Sequence, residues 1–259
     1  MPLTGTPLWA LGGAALGSSM TSYHIGNSLT QCADPRSIRA MGQRLGYDHR
    51  VGTHIVGSAT LPDLVALSSA SEDPPTPYGE WPNALARYQW DFVTIQTQGP
   101  STMLDDETAA LALIDYAGDN VTEWLLHAPW PPSADLAAWL DAVVDADGTA
   151  WVPQKAYHDH LLARLQAARP ARTISLLETG EVIVALNTAG VAALYVDALH
   201  LSYGYSRFAV TLAAVARMLG LATTTGMEHA PYEQAVTDPV LAATYAAIWT
   251  AVNDEIIGP

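Results

Sequence analysis

The sequence predicts an α/β fold in which about five parallel strands form one sheet with helices on both faces. Short apolar runs alternate with segments of helical periodicity along most of the chain. Several of these runs are almost continuously apolar, as expected of strands that are buried on both faces. No internal repeat or low-complexity linker interrupts the pattern.

Five runs are predicted to be strands, at 21–26, 50–56, 91–96, 121–127 and 172–177. The first ends abruptly at a Gly-Asn-Ser turn. The third and fourth combine aromatic and branched apolar residues, which are common in strands. Their spacing leaves room for a helix in most of the gaps, so the sequence favours strand-helix-strand units and a parallel sheet.

The helices have recognisable starts and stops. Asp34 can cap a helix with Pro35 at its first position, and Ile38, Met41 and Leu45 then share one face. Further helices are predicted at 106–117, 133–145, 154–168 and 204–219, the last ended by Gly220, and a final one begins at Asp238-Pro239.

A single domain is expected over residues 1–259, with an N-terminal extension at 1–19 and a C-terminal helical extension at 221–259. The stretch 68–83 is rich in Ser, Pro and Glu and is expected to be a surface loop near the mouth of a site. Residues 8–17 are apolar but lack the preceding basic residues of a signal peptide, so the compartment stays open.

The composition excludes several kinds of partner. With 11 basic and 26 acidic residues, the formal net charge is −15, which argues against nucleic acid and anionic membrane surfaces. No apolar run approaches the roughly 20 residues of a transmembrane helix. The single cysteine, Cys32, excludes an intramolecular disulfide and a zinc site with several cysteines.

A serine follows the first predicted strand. Ser28 lies at the strand's carboxyl end, where open α/β sheets bind their ligands. A serine on such a turn is exposed beside backbone N–H groups that can stabilise an oxyanion, so Ser28 is a candidate nucleophile. Alternatively, Asn27 and Ser28 serve only for local hydrogen bonds in the turn.

A second candidate group lies near the other end of the chain. Asp197 precedes His200 by three residues, and in a turn its carboxylate can reach the imidazole and hold its tautomer. With Ser28 they supply the parts of an acyl-transfer triad, although a loop aspartate beside a surface histidine is the simpler alternative. The chain has no Gly-x-Ser-x-Gly motif, which argues against an α/β-hydrolase.

The two segments resemble sequence blocks of the SGNH (GDSL-like) hydrolases. Gly26-Asn27-Ser28-Leu29 resembles the first block, with Asn for the more usual Asp, and Asp197-x-x-His200 resembles the last. The resemblance spans about residues 20–220. It implies a flavodoxin-like αβα sandwich and metal-independent ester hydrolysis without a cofactor. Ser28 would be the nucleophile, His200 the general base and then acid, and Asp197 its orienting partner.

The resemblance also implies an oxyanion hole. Its donors would be the backbone N–H groups of Ser28 and Gly57, the latter being the best match to the second block. The third block normally contributes an Asn side chain, and this chain has Gln96 and Gln98 in that region. It is similar to a branch of the superfamily in which Gln replaces that Asn. Both glutamines are candidates, with a slight preference for Gln96 because it ends a strand.

Two other segments carry possible site residues. Trp130 follows the fourth strand in a Pro-rich segment, and it either lines an acyl or sugar pocket or packs within the loop. His158 and His160 flank Asp159, but residues two apart on a helix face different directions. We therefore expect an exposed pair and no metal site there.

The predicted function is a serine esterase that hydrolyses short-chain acyl esters through an acyl-enzyme. Its substrate would be a small-molecule or glycan ester, with O-acetylated carbohydrate as the first candidate. A catalytically silent carbohydrate-binding domain, an acyltransferase and a broad-specificity, lipase-like esterase are the alternatives.

Overall fold

The computed structural model describes residues 18–73, 76–141, 150–221 and 239–257. Five strands form its centre: β1 Ser18–Gly26, β2 Tyr47–Ile55, β3 Trp90–Gln96, β4 Val121–His127 and β5 Thr173–Leu177. All neighbours are parallel, in the order β2-β1-β3-β4-β5. This is the strand order of flavodoxin-like folds, and it confirms the predicted α/β class and strand number.

The carboxyl ends of the strands form one edge of the sheet. Gly26 is paired with Ile55, and Gln96 is paired with His127. The strand order reverses direction between β1 and β3 at this edge. Ligands of open α/β sheets bind outside such a reversal point, so the residues that follow β1 and β3 occupy the expected place for a site.

Helices cover both faces of the sheet. They are α1 Ser28–Cys32, α2 Pro35–Arg44, α3 Leu61–Ala66, α4 Trp81–Arg87, α5 Met103–Ala117, α6 Lys155–Ala168, α7 Thr179–Thr188, α8 Tyr205–Leu219 and α9 Pro239–Val252. One apolar core packs α1, α2, α7, α8 and α9 on one face, and a second packs α3 to α6 on the other. Within the described ranges, no helix has the length and apolar character needed to span a membrane.

Capping side chains mark the start of four of the described helices, α1, α2, α3 and α5. Asp34 caps α2 by accepting the Arg36 N–H at 3.2 Å, with Pro35 at the first position as predicted. Thr102 and Asp105 form a capping box that starts α5 three residues before the predicted residue 106. α8 ends at Gly220, whose φ of 56° is left-handed, as glycine permits.

Several predicted boundaries need correction. β1 begins at Ser18, so the expected extension at 1–19 overlaps a strand, and residues 1–17 lie outside the described residues. In the expected C-terminal extension, α9 buries Ile248 and Val252 in the core and so belongs to a helical layer. The helix expected at 133–145 is a 3-10 helix over Ser133–Ala138, and residues 142–149 lie outside the described part. The single-domain organisation stays a prediction.

Candidate active site

Ser28 is the first residue of α1 and is separated from β1 only by Asn27. The Asn27 side chain caps the helix because its Oδ1 accepts the Leu29 N–H at 2.9 Å. Glycine is needed at position 26, because a Cβ there would collide with the Thr30 side chain. This tight turn leaves Ser28 partly exposed at the carboxyl edge of the sheet.

Ser28, His200 and Asp197 are hydrogen-bonded in series. His200 Nε2 lies 3.0 Å from Ser28 Oγ, although 172 residues separate the two in the sequence. On the other side of the ring, His200 Nδ1 lies 2.8 Å from Asp197 Oδ2. This is the arrangement of a nucleophile, a base and a carboxylate that orients the base.

The charge on Asp197 determines which imidazole nitrogen carries the proton. The backbone N–H groups of His200 and Leu199 donate to its Oδ1 at 2.7 and 2.8 Å. These bonds, followed by the bond from the His200 ring, lower the pKa of Asp197 to about 2. An ionised Asp197 can only accept, so neutral His200 donates from Nδ1 and directs the Nε2 lone pair at the Ser28 hydroxyl.

The loop that carries Asp197 and His200 is closed by backbone hydrogen bonds. The Val196 N–H donates to the His200 carbonyl at 2.9 Å, and the Ser202 N–H donates to the Leu194 carbonyl at 2.9 Å. These bonds form a tight hairpin just before α8. The side chains of Asp197 and His200 are therefore held by local geometry as well as by each other.

The segment after β4 also supports this loop. The Trp130 indole N–H donates to the Leu199 carbonyl at 2.8 Å, and the Tyr195 hydroxyl donates to the Pro131 carbonyl at 2.8 Å. The Trp130 ring has no exposed surface, so it cannot contact a ligand in an open cleft. The prediction that Trp130 lines a pocket was therefore wrong. The structure shows the alternative, in which Trp130 packs within the loop.

Gln96 is fully buried, and both ends of its amide are used within the turn that carries Ser28. Its Oε1 accepts the Thr30 N–H at 2.9 Å, the Thr30 hydroxyl at 2.6 Å and the Asn27 N–H at 3.3 Å. Its Nε2 donates to Asn27 Oδ1 at 2.8 Å. A second, longer bond runs from Nε2 to the Thr97 carbonyl at 3.4 Å, so Gln96 supports the turn of Ser28 and both of its amide N–H groups have acceptors.

Gln98 is partly exposed and differs from Gln96 in its partners. Its Oε1 accepts from Asn27 Nδ2, which also donates to the Ala59 carbonyl at 2.8 Å. Within the described residues, the Gln98 Nε2 has no hydrogen-bond acceptor. The same holds for the backbone N–H groups of Ser28 and Gly57. A Cβ built on Gly57 would lie 2.9 Å from Glu72 Oε2, so the Glu72 carboxylate is close to residue 57.

Asn27 also makes long-range contacts that the sequence did not indicate. Its side chain connects the residues after β1 with both glutamines of the β3 end and with Ala59 after β2. Three strand ends are thus joined through one amide. The only signal in the sequence was its place between Gly26 and Ser28.

An open cleft of about 520 Å³ lies over the hydrogen-bonded series of Ser28, His200 and Asp197. Ser28, Asp197 and His200 line it, whereas Gly57, Gln96, Gln98 and Trp130 do not. The other lining residues are Gln31, Cys32, Asp34, Pro35, Arg36, Asp73, Val196, Tyr203 and Arg207. Asp73 comes from the stretch expected to be a loop near the mouth of the site.

The described residues contain no group of three or more His, Cys, Asp or Glu side chains that could hold a metal ion. The expectation that His158 and His160 form an exposed pair was wrong for His158, which is fully buried. Its ring nitrogens contact Thr97 Oγ1 at 3.2 Å and the Gln154 carbonyl at 2.9 Å. Burial lowers the pKa of His158 to about 4, so it is neutral and structural.

Comparisons with known proteins establish the fold but no function. No protein-family model matches the chain, and no curated protein matches it. The crystal structure of a DUF4886 family protein from Bacteroides uniformis ATCC 8492 is similar, with a TM-score of 0.64 over 93% of this chain and 95% of that chain. The two sequences are 17% identical, so the similarity shows the fold alone.

Proposed function

We propose that the protein is a serine esterase that hydrolyses short-chain acyl esters. The observation that carries this proposal is the position of His200, whose ring lies 3.0 Å from Ser28 Oγ and 2.8 Å from Asp197 Oδ2. A serine hydroxyl becomes a nucleophile when such a base accepts its proton. The open cleft gives an ester access to Ser28 and His200.

In the first half of the reaction, Ser28 Oγ attacks the ester carbonyl carbon while its proton passes to His200 Nε2. The imidazolium is stabilised by the Asp197 carboxylate, which stays ionised because its pKa is lowered to about 2. The tetrahedral intermediate then collapses as His200 returns the proton to the leaving alkoxide oxygen. The alcohol departs, and the acyl group remains on Ser28.

The oxyanion of the intermediate needs hydrogen-bond donors. The Ser28 N–H, the Gly57 N–H and the Gln98 side-chain amide are the proposed donors, because none of the three has an acceptor within the described residues. Gln98 replaces Gln96 as the preferred side-chain donor, because the Gln96 Nε2 already donates to Asn27 Oδ1 and to the Thr97 carbonyl. The contribution of Gln96 is to hold the turn on which the Ser28 N–H lies.

In the second half, water attacks the acyl carbon while His200 Nε2 accepts its proton. His200 then returns the proton to Ser28 Oγ as the carboxylic acid leaves. The His200 side chain is 35% exposed, so water can reach it. An alcohol in place of water would give acyl transfer through the same acyl-enzyme, and product analysis in the presence of an acceptor alcohol distinguishes the two reactions.

The test is ester hydrolysis in a pH-stat with ethyl acetate, comparing the wild type with Ser28→Ala and the matched control Ser69→Ala. Ser69 is exposed and does not line the cleft. We expect Ser28→Ala to lower kcat by about 10³-fold or more, and Ser69→Ala to leave it unchanged. A fluorophosphonate probe should label Ser28 in the wild type. Full activity of a folded Ser28→Ala protein would exclude this mechanism, and inactivity of the wild type on all short esters would favour the silent binding domain.

A further inference from the structure

The cleft contains an aromatic side chain with unusual exposure. Tyr203 is 78% exposed, and Val196, in the loop that carries Asp197 and His200, is 55% exposed. Among the described residues, these are two of only six large hydrophobic side chains that are clearly exposed. Both line the cleft with His200. Together they give a ligand in this cleft an apolar surface to contact.

Tyr203 is held in place by Arg207 on the first turn of α8. The Arg207 Cζ lies 3.8 Å from the centroid of the Tyr203 ring, in a cation–π contact. Arg207 is itself fixed, since its Nε donates to the Leu201 carbonyl at 3.1 Å. One face of the ring therefore rests on a guanidinium group, while most of the ring's surface stays exposed.

Arg207 also has unused hydrogen-bonding capacity. Lys155 and five arginines have a carboxylate within 4.0 Å. Arg207 and Arg36 both line the cleft, and neither has such an ion pair within the described residues. This is unexpected in a chain whose formal net charge is −15. Asp34 and Asp73 line the same cleft, so its rim offers donors and acceptors side by side.

We propose that Tyr203, supported by Arg207, is the platform for a sugar ring that carries the ester. A pyranose has an apolar C–H face that can stack on the exposed tyrosine, and a rim of hydroxyl groups that can bond to Arg207 and the cleft carboxylates. A long alkyl chain would need an enclosed apolar groove, whereas most of the residues lining this open cleft are polar or charged. This inference rests on the proposed esterase function and names its substrate class as carbohydrate esters.

The test compares a sugar ester, methyl 6-O-acetyl-α-D-glucopyranoside, with ethyl acetate as an ester of the same acyl group. The measured quantity is the ratio of kcat/KM for the two esters. We expect Tyr203→Ala to lower this ratio about tenfold, mainly through a higher KM for the sugar ester. Tyr203→Phe keeps the ring and should change the ratio by no more than about twofold. The matched control is Tyr116→Ala, which removes a 50% exposed tyrosine outside the cleft.

If Tyr203→Ala leaves the ratio of kcat/KM unchanged, including by an equal loss on both esters, the proposal that Tyr203 is a platform for the sugar is refuted. A binding measurement separates this failure from failure of the esterase proposal. Calorimetric titration of the Ser28→Ala protein with the same sugar ester needs no catalysis. One outcome is that the wild type hydrolyses neither ester, that Ser28→Ala binds the sugar ester, and that the double variant with Tyr203→Ala does not bind it. This outcome would support the role of Tyr203 as a platform and refute the esterase function. If the Tyr203→Ala protein hydrolyses both esters with the wild-type ratio of kcat/KM, the esterase function is supported and the role of Tyr203 as a platform is refuted.

Discussion

Gln96 and Gln98 are two residues apart, yet their contacts predict opposite consequences of substitution. Gln96 is buried and supports the turn of Ser28, whereas Gln98 is partly exposed and has a free amide N–H among the described residues. Replacing each with Met removes the amide and keeps similar length and volume. We expect Gln96→Met to affect stability first, and Gln98→Met to affect catalysis first.

The magnitudes follow from the hydrogen bonds lost. In Gln96→Met, the N–H groups of Thr30 and Asn27 lose their acceptor, and Asn27 Oδ1 loses one of its two donors. A buried polar group without a partner costs about 1–3 kcal/mol, so we expect a loss of about 3 kcal/mol and a Tm lower by about 6–12 °C. In Gln98→Met, Asn27 Nδ2 keeps the Ala59 carbonyl. Stability should change by less than about 1 kcal/mol, while loss of an oxyanion donor lowers kcat by about 100- to 1000-fold.

The assay combines thermal unfolding with kcat for ethyl acetate at a temperature where both variants are folded. Gln98→Ala serves as a second test of the exposed amide. A Gln96→Met protein that melts with the wild type would refute the account of the buried amide. A Gln98→Met protein with wild-type kcat would show that this glutamine is not an oxyanion donor.

Two further predictions concern the support of the site and the core. Trp130→Phe keeps an aromatic ring but removes the bond to the Leu199 carbonyl; we expect a loss of about 1 kcal/mol in urea unfolding and a lower kcat with little change in KM. An unchanged kcat would contradict the supporting role. Asp106 is fully buried, and burial raises its pKa to about 7. Because its folded-state pKa is raised, its contribution to stability is present at low pH and is lost as the pH rises through about 7. Asp106→Asn should therefore be more stable than the wild type by about 2 kcal/mol at pH 8.5, with a smaller difference at pH 5. The same difference in the free energy of unfolding at both pH values, measured by urea unfolding, would argue against this assignment.

The sheet was predictable from the sequence because its strands are buried on both faces. β4 was predicted with its observed bounds, and β3 differs by one residue. The short helices α3 and α4 were missed, since six or seven residues make less than two turns and show no period. His158 carried a signal that was overlooked: with Leu161 and Leu165 it follows the 3–4 spacing of the buried face of α6.

The site was only partly predictable, for a different physical reason. Ser28 and the Asp197–His200 pair stand out locally, as polar residues at turns with suitable spacing. The different environments of Gln96 and Gln98 depend on Asn27 and Thr30, which are about 70 residues away in the sequence. The burial of Trp130 likewise depends on a loop 69 residues further on. Contacts of this kind leave no periodicity in the neighbouring sequence.

The 3.0 Å distance between Ser28 and His200 joins two loops that are supported separately. The first, the turn after β1, depends on Gln96 at the end of β3, and the second depends on Trp130 after β4. α8 connects them, because it begins five residues after His200 and its Thr211 hydroxyl donates to the Ala33 carbonyl at 2.9 Å, just beyond the end of α1. Damage to one loop should therefore move one reacting atom relative to the other while the sheet stays intact. Catalysis should consequently be more sensitive than folding to changes along the contact between α1 and α8.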